Sequence, residues 1–121
     1  MDKLRFGTAG IPFSTPKPVS TINGIKHVKK LGFDAFEIEF VHSTNIKPEL
    51  TGEIKKVAKD NDIILTCHGS YYVNLNAKDK AKLGQTKGII YSQSERIAKC
   101  GGWSITFHVG FYMKESPDQA Y

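Results

Sequence analysis

Two strand-like runs with the same ending decide the fold of this chain: IILTCHGSY at residues 63–71 and SITFHVG at residues 104–110. In each run a threonine lies two residues before a histidine, and a glycine follows the histidine closely. Successive side chains of a strand point to opposite faces, so Thr66 shares a face with His68, and Thr106 shares one with His108. If the two strands are parallel neighbours, both imidazoles reach the same carboxyl edge of one sheet. Open α/β sheets and barrels carry their chemistry at that edge.

The rest of the chain alternates between strand and helix patterns and predicts the order βαβαβαβ. We predict strands at residues 4–8, 34–41, 63–69 and 103–108. Helices are predicted from a cap at Ser20 or Thr21 to Gly32, from Pro48 to Asn61, and from about Lys78 to Lys99. The predicted inner face of the third helix is Leu83, Ile90, Ser94, Ile97 and Ala98. From Gly110 onward only the start of a loop is expected.

This alternation is typical of parallel strands joined by right-handed crossovers. Residues 63–65 are apolar on both faces, as expected for a parallel strand covered by helices. With only four strands, the last strand is an edge whose backbone groups have no partner. A complete (β/α)8 barrel takes about 250 residues. We therefore predict an α/β fold that forms the first half of a TIM barrel. We expect residues 1–121 to form a single domain, cut inside a βα loop.

Composition excludes several classes of protein. The chain has 121 residues, is 40% hydrophobic and contains no apolar stretch long enough to cross a membrane. Its first residues lack the zones of a signal peptide, so we expect a cytoplasmic protein. Cys67 and Cys100 are expected to be small core residues. The net charge of +5 suits a polyanionic partner such as DNA, but most lysines are expected simply to solvate helix faces.

His68 and His108 are the candidate metal ligands, because two neutral imidazoles at one sheet edge resemble half of a zinc site. A catalytic zinc takes about three protein ligands plus water, so these two leave the site incomplete. Glu37 and Glu39 alternate with apolar residues and should face the barrel interior. Glu39 lies nearer the carboxyl edge. It either contacts a metal, directly or through water, or pairs with Arg5 or a lysine, which is the favoured role for Glu37.

The loop after His68 supplies the candidate substrate contacts. Tyr71 and Tyr72 are placed at the active edge, where exposed aromatic rings stack on sugars or bases. We expect one of the two tyrosines to pack under its own loop and Asn74 to brace that loop. His42 lies at the same edge and is a candidate substrate contact, whereas His27 is expected on a helix surface. No serine or cysteine has the context of a catalytic nucleophile.

Residues 68–76, HGSYYVNLN, resemble the His-x-Ser-Tyr-x-(Ile/Val)-Asn-Leu stretch of the endonuclease IV family of apurinic/apyrimidinic endonucleases. Residues 107–110, FHVG, resemble its Phe-His-Pro-Gly stretch. Residues 5–12, RFGTAGIP, and 110–112, GFY, look like the archaeal branch. The resemblance runs the length of this chain but covers only the amino-terminal part of the family's barrel. Residues 32–38 are shared loosely with sugar isomerases and epimerases of the same xylose isomerase-like superfamily.

The resemblance implies a zinc cluster that cleaves the phosphodiester 5′ to abasic sites in DNA, with His68 and His108 matching two ligands of one zinc. Tyr71 matches a residue that approaches the lesion, and the nucleophile would be water, so no catalytic residue is expected within this chain. Gly69 and Val109 depart from the family's acidic residue and proline. Residues 42–45 lack the arginine with which bacterial relatives probe DNA, and the remaining ligands would lie beyond Tyr121.

Three alternatives therefore stay open. The first is an incomplete piece of such a nuclease, inactive alone unless it pairs with a second copy or a complementary half-barrel. The second is a divalent-metal sugar isomerase or epimerase, which Glu39 and the missing arginine favour. The third is a fragment whose metal site is vestigial.

Overall fold

The computed structural model describes residues 3–120 of the chain. Four parallel strands form one sheet in the order β1-β2-β3-β4: Gly7–Ala9, Ala35–Glu39, Ile64–His68 and Ser104–Thr106. Three helices follow the first three strands: α1 at Thr21–Lys30, α2 at Thr51–Asp60 and α3 at Lys80–Lys99. The predicted α/β fold with parallel strands is therefore confirmed, and its element order is that of the first half of a TIM barrel.

The core lies between one face of the sheet and the helices. Phe36 and Ile38 of β2 and Leu65 and Cys67 of β3 point into it and are almost fully buried, packed against Ile25 of α1. The alternate residues of these strands face the other way, toward the barrel interior. The alternation predicted for Glu37 and Glu39 is thus confirmed, and it places both carboxylates on the interior face.

Two helices, α1 and α3, begin where a side chain satisfies free backbone amide groups. Ser20 caps α1, with its hydroxyl accepting from the Asn23 amide at 3.1 Å. Asp79 caps α3, and its bonds to two backbone amides lower the pKa of its carboxyl. Pro48 opens only a 3₁₀ turn over Pro48–Leu50, so α2 begins three residues later than predicted. Gly32 ends α1 with a φ of +87°, a conformation that glycine adopts without strain.

Strand ends depart from prediction where side chains or loops take over the backbone hydrogen bonds. The Phe6 amide donates to the Asp34 carboxylate at 2.8 Å, and β1 begins only at Gly7 rather than at residue 4. β2 and β3 are each shorter than predicted, and β4 covers three residues instead of six. His108 therefore lies in the loop beyond β4. Pro117–Ala120 forms a short helix, α4, where only a loop was expected.

The predicted inner face of α3 is wrong in part. Ala98 is exposed, whereas Thr86 and Gln93, which the sequence pattern assigns to solvent, are buried together with Ile97. Both polar side chains bond to backbone groups of the loops above the sheet.

Within residues 3–120, no helix combines the length and apolarity needed to cross a bilayer.

Candidate metal centre

The imidazoles of His68 and His108 lie side by side at the carboxyl edge of the sheet. His68 is the last residue of β3 and pairs in register with Thr106 of β4, so His108 follows two residues beyond that row. The ring centroids are 5.4 Å apart, with 48° between the ring planes. Two rings on one tetrahedral zinc, each with a Zn–N bond of about 2.1 Å, have their centroids about 5 Å apart. The two histidines therefore have a spacing that suits one shared ion.

The His68 ring is held in one orientation by its own backbone. Its Nδ1 lies 2.9 Å from the carbonyl oxygen of Gly69. Because a carbonyl can only accept, Nδ1 carries the proton, and Nε2 of the neutral ring keeps a free lone pair. Metal-binding histidines in proteins show this same pattern, with the second ring nitrogen donating to a carbonyl or carboxylate.

Tyr71 lies against both histidines at the rim. Its ring centroid lies 5.4 Å from that of His68 and 6.2 Å from that of His108. Its ring also contacts that of His42, with the centroids 5.9 Å apart. Both Tyr71 and Tyr72 are exposed, so the expectation that one of them packs under the loop is wrong. Val73 fills that buried place instead, which leaves two aromatic rings available at the edge.

Asn74 braces the loops after β3 and β4 against each other, as predicted. Its Oδ1 accepts from the amides of Asn76 at 3.1 Å and Phe111 at 3.3 Å. Leu75 adds a backbone bond to the Val109 carbonyl at 2.8 Å. A Cβ on Gly110 would lie 2.7 Å from Asn74 Oδ1, so this close approach needs glycine. These contacts set the position of the segment that carries His108.

Glu39 is the neighbour of His68 in register, but its carboxylate lies toward β1. A Cβ on Gly10 would come within 3.0 Å of Glu39 Oε2. Arg5, an expected partner for the interior carboxylates, pairs instead with Asp62 at 3.1 Å. The ion pairs found between residues 3 and 120 include neither Glu37 nor Glu39. Among the described residues, the pairing with Arg5 or a lysine that was favoured for Glu37 is therefore wrong, and the same alternative for Glu39 is not seen.

Glu39 and His42 line a cavity of about 260 Å³ between α1 and the end of β2, and neither His68 nor His108 lines it. Ser43 and Asn45 add polar groups to its wall, and Phe36 and Ile38 contribute apolar surface. Within the described range 3–120, His, Cys, Asp and Glu form no group of three or more that is close enough to hold a metal. The residues present thus fit two positions of a metal site and leave the others to groups outside the pair.

The cysteines take no part in this edge. Cys67 is fully buried on the helix face of β3, and burial raises the pKa of its thiol to about 12. Cys100, equally buried after α3, has its pKa raised by burial to about 11. Since a thiol binds metal as the thiolate, both behave as core residues, as expected.

Sequence reasoning missed two residues that support the site from below. Gln93 of α3 donates from Nε2 to the Phe40 carbonyl at 3.1 Å and accepts from the Ser70 amide at 2.9 Å. Thr86 exchanges hydrogen bonds with the backbone of Asn74. One signal in the sequence could have indicated them. Thr86 and Gln93 lie at helical spacing on the same face of α3 as Ile97, and that face lies beneath the predicted histidine loops.

Comparison with known proteins assigns the chain to a family. Residues 25–121 match the family described as xylose isomerase-like TIM barrel. An uncharacterised protein of Methanocaldococcus jannaschii, MJ0133, is 31% identical over 98% of this chain and 41% of its own length. A D-psicose 3-epimerase crystallised in the presence of D-fructose superposes with a TM-score of 0.75 at 25% identity, over 97% of this chain and 43% of that enzyme.

A second D-psicose 3-epimerase, from Clostridium cellulolyticum H10 with D-tagatose, has the same TM-score of 0.75 at 22% identity, again over 97% of this chain and 43% of the neighbour. The chain thus spans less than half the length of these relatives. The family match covers most of the chain, and both epimerases superpose on almost the whole of it. The chain belongs to the xylose isomerase-like TIM barrel family.

Proposed function

We propose that the barrel to which this chain contributes binds zinc through His68 and His108 and hydrolyses the phosphodiester 5′ to abasic sites in DNA. The observation that carries the proposal is the histidine pair: two rings 5.4 Å apart at the carboxyl edge, with Nε2 of His68 free. In TIM barrels, residues at this edge perform the chemistry.

The donor type favours zinc. Imidazole nitrogens suit zinc, whereas sites for magnesium and manganese are built mainly from carboxylate, carbonyl and water oxygens. His68 and His108 would each supply one nitrogen, and the Gly69 carbonyl would keep His68 Nε2 in its ligand form. When bound, zinc lowers the pKa of a water and offsets phosphate charge. The further ligands would come from later strands of the barrel.

The surroundings favour DNA as substrate. Tyr71 and Tyr72 are exposed next to the histidines, where their rings can stack on bases flanking a lesion. The chain carries a net charge of +5, which suits a phosphate backbone. An abasic nucleotide leaves the helix at low cost because it has no base to unstack. The likeness of residues 68–76 to the endonuclease IV family supports the same reading.

A second candidate function, epimerisation of a ketose with a divalent metal, is favoured by Glu39. This carboxylate lies beside His68 in register and lines the 260 Å³ cavity together with His42, Ser43 and Asn45. Convergent polar groups over an apolar wall are typical of sites for small polar ligands. The similarity to D-psicose 3-epimerase points the same way.

Zinc binding tests the shared basis of the proposal. Isothermal titration of the metal-free chain should show one weakly bound zinc per chain, held by the two imidazoles with water in the remaining positions, and Co²⁺ substitution should give the absorption of a site with nitrogen ligands. His68→Ala and His108→Ala should each abolish binding. His27→Gln is the matched control because His27 lies on α1 and bonds to Ser14 instead. Zinc binding that survives His68→Ala would refute the proposed site.

DNA binding separates the two candidates. Fluorescence anisotropy with zinc should show tighter binding to a duplex carrying an abasic analogue than to the intact duplex. Tyr71→Ala should weaken that preference by about tenfold, the typical value of one stacking contact. Tyr91→Ala, which removes a more exposed tyrosine on α3, should leave it unchanged. Manganese-dependent binding of D-fructose that is lost in Glu39→Gln, without a preference for abasic DNA, would favour the epimerase.

A further inference from the structure

A single peptide group, the one between Gly69 and Ser70, joins the core to the candidate metal ligand. Its carbonyl oxygen accepts a hydrogen bond from the Nδ1–H group of His68 at 2.9 Å. Its N–H group donates to Gln93 Oε1, also at 2.9 Å. The N–H and C=O of a trans peptide point in opposite directions. Gln93 therefore holds one side of the same rigid plane whose other side holds the imidazole.

Gln93 is itself fixed. Its side chain is 3% exposed, and its Nε2 donates to the Phe40 carbonyl at the end of β2. The backbone is closely packed at this point, because a Cβ on Gly69 would lie 3.1 Å from Phe107 Cβ and 3.3 Å from Gln93 Oε1. A buried amide with both ends bonded is a rigid support, since breaking either bond leaves an unsatisfied polar group.

We propose that Gln93 is a positioning residue for His68. Acting through the Gly69–Ser70 peptide, it fixes the proton on Nδ1 and directs Nε2 to the rim. This inference rests on the proposed function, in which His68 Nε2 binds zinc. Partners that orient a metal-binding histidine typically change metal affinity by about 10- to 100-fold when they are removed.

The first test uses the metal-free chain. Long-range ¹H–¹⁵N spectra distinguish the two neutral tautomers of His68, and the wild-type ring should be protonated on Nδ1. Gln93→Met keeps the bulk but loses both hydrogen bonds, so the other tautomer should appear. Thr86→Val is the matched control because Thr86 is an equally buried polar residue of α3 that bonds to Asn74 rather than to this peptide. It should leave the His68 tautomer unchanged.

Gln93→Glu is the rescue variant, and it also tests the proposal if Gln93→Met does not fold. A buried, protonated carboxyl group can accept from the Ser70 amide and donate to the Phe40 carbonyl, so the wild-type tautomer should return. Loss of the Nδ1-protonated form in Gln93→Glu would overturn the proposal. So would a wild-type tautomer in a folded Gln93→Met.

Zinc affinity is the second readout. Gln93→Met should weaken zinc binding by about 10- to 100-fold, and Gln93→Glu should restore most of it. Ser92→Ala should retain it, because the exposed Ser92 hydroxyl bonds only to the Ile89 carbonyl within α3. The outcomes separate the two proposals. A wild-type chain that binds no zinc refutes the proposed function, and the tautomer shift still decides the role of Gln93. Tight zinc binding that is indifferent to Gln93 refutes the positioning role alone.

Discussion

The two halves of the carboxyl rim differ in how they are held. On the β3 and β4 side, buried polar side chains of α3 and the Asn74 amide tie the loops together, and His68, His108 and Tyr71 converge. On the β1 and β2 side, Glu39 lies against Gly10 beside an open cavity, and His42 is exposed. We call these the tied side and the open side.

The difference shows what prepares a site for a metal. Ligands must be held near their final geometry before the ion arrives, and buried hydrogen bonds from beneath supply that order. The tied side has such support for both histidines. The open side offers a carboxylate without comparable support among the described residues. The part of the rim that is held in place is therefore the part to which side chains of α3 bond.

The largest expected effect comes from Gly7→Ala on the open side. A Cβ there would lie 2.0 Å from the Ala35 carbonyl oxygen, so β1 must shift away from β2. We expect a loss of about 3 kcal/mol in the free energy of unfolding, typical of a severe overpacking. Urea denaturation measures the loss. If the two sides are independent, the close contact between the His68 and His108 rings persists in the nuclear Overhauser spectrum, and its disappearance would contradict the comparison.

Asn74→Ala should act on the tied side. The substitution removes two accepted hydrogen bonds, from the Asn76 and Phe111 amides, at about 1 kcal/mol each. We expect unfolding to be easier by about 2 kcal/mol and zinc binding to weaken because His108 loses its fixed position. The control is Asn45→Ala on the open side, whose single 3.5 Å bond to the Glu39 carbonyl should cost less than about 0.5 kcal/mol. Equal losses in the two variants would contradict the distinction.

Much of this organisation was readable from the sequence. Strict alternation placed Phe36 and Ile38 in the core and Glu37 and Glu39 on the opposite face. Parallel strands bring their carboxyl ends to one edge, so histidines that end two neighbouring predicted strands were expected to converge, and they do although His108 lies just beyond β4. The burial of Cys67 followed from the same two-residue period. These results depend on local patterns and on the topology that they imply.

The residues that hold the site in place could not be predicted from local sequence patterns. Gln93 and Thr86 are polar residues of a helix, and a hydrophobic pattern places such residues in water. Gln93 is buried because its partner is the Phe40 carbonyl, 53 residues earlier in the chain. The direction of the Glu39 carboxylate likewise depends on the bare Gly10 backbone of a distant loop. Contacts between distant segments decide these features, and no single stretch of sequence records them.

Gly84→Ala should strengthen α3, the helix that supports the tied side. Gly84 lies inside α3, and a Cβ there meets no atom within 4 Å, so alanine adds helix propensity without a clash. We expect a gain of about 0.5–1 kcal/mol in the free energy of unfolding. Gly32→Ala is the control of opposite sign, because a φ of +87° strains any residue with a Cβ. Thermal unfolding of both variants measures the difference, and a destabilised Gly84→Ala would show that the glycine has a structural role in α3.

The smallest effect concerns pH and the segment beyond β4. Hydrogen bonds from Lys78, at 2.8 Å, and from Asn76, at 3.1 Å, hold the pKa of Glu115 below its ordinary value of 4.5. A lowered pKa in the folded chain means that the contribution to stability is complete above pH 4.5 and is lost as the pH falls through the folded value. Amide exchange at residues 109–116, corrected for intrinsic rates, should therefore speed up on acidification below that point. Glu115→Gln should remove this dependence while keeping a similar shape. If the acid-induced opening is unchanged in Glu115→Gln, the tied side depends on Asn74 and the helix beneath it, and not on this ion pair.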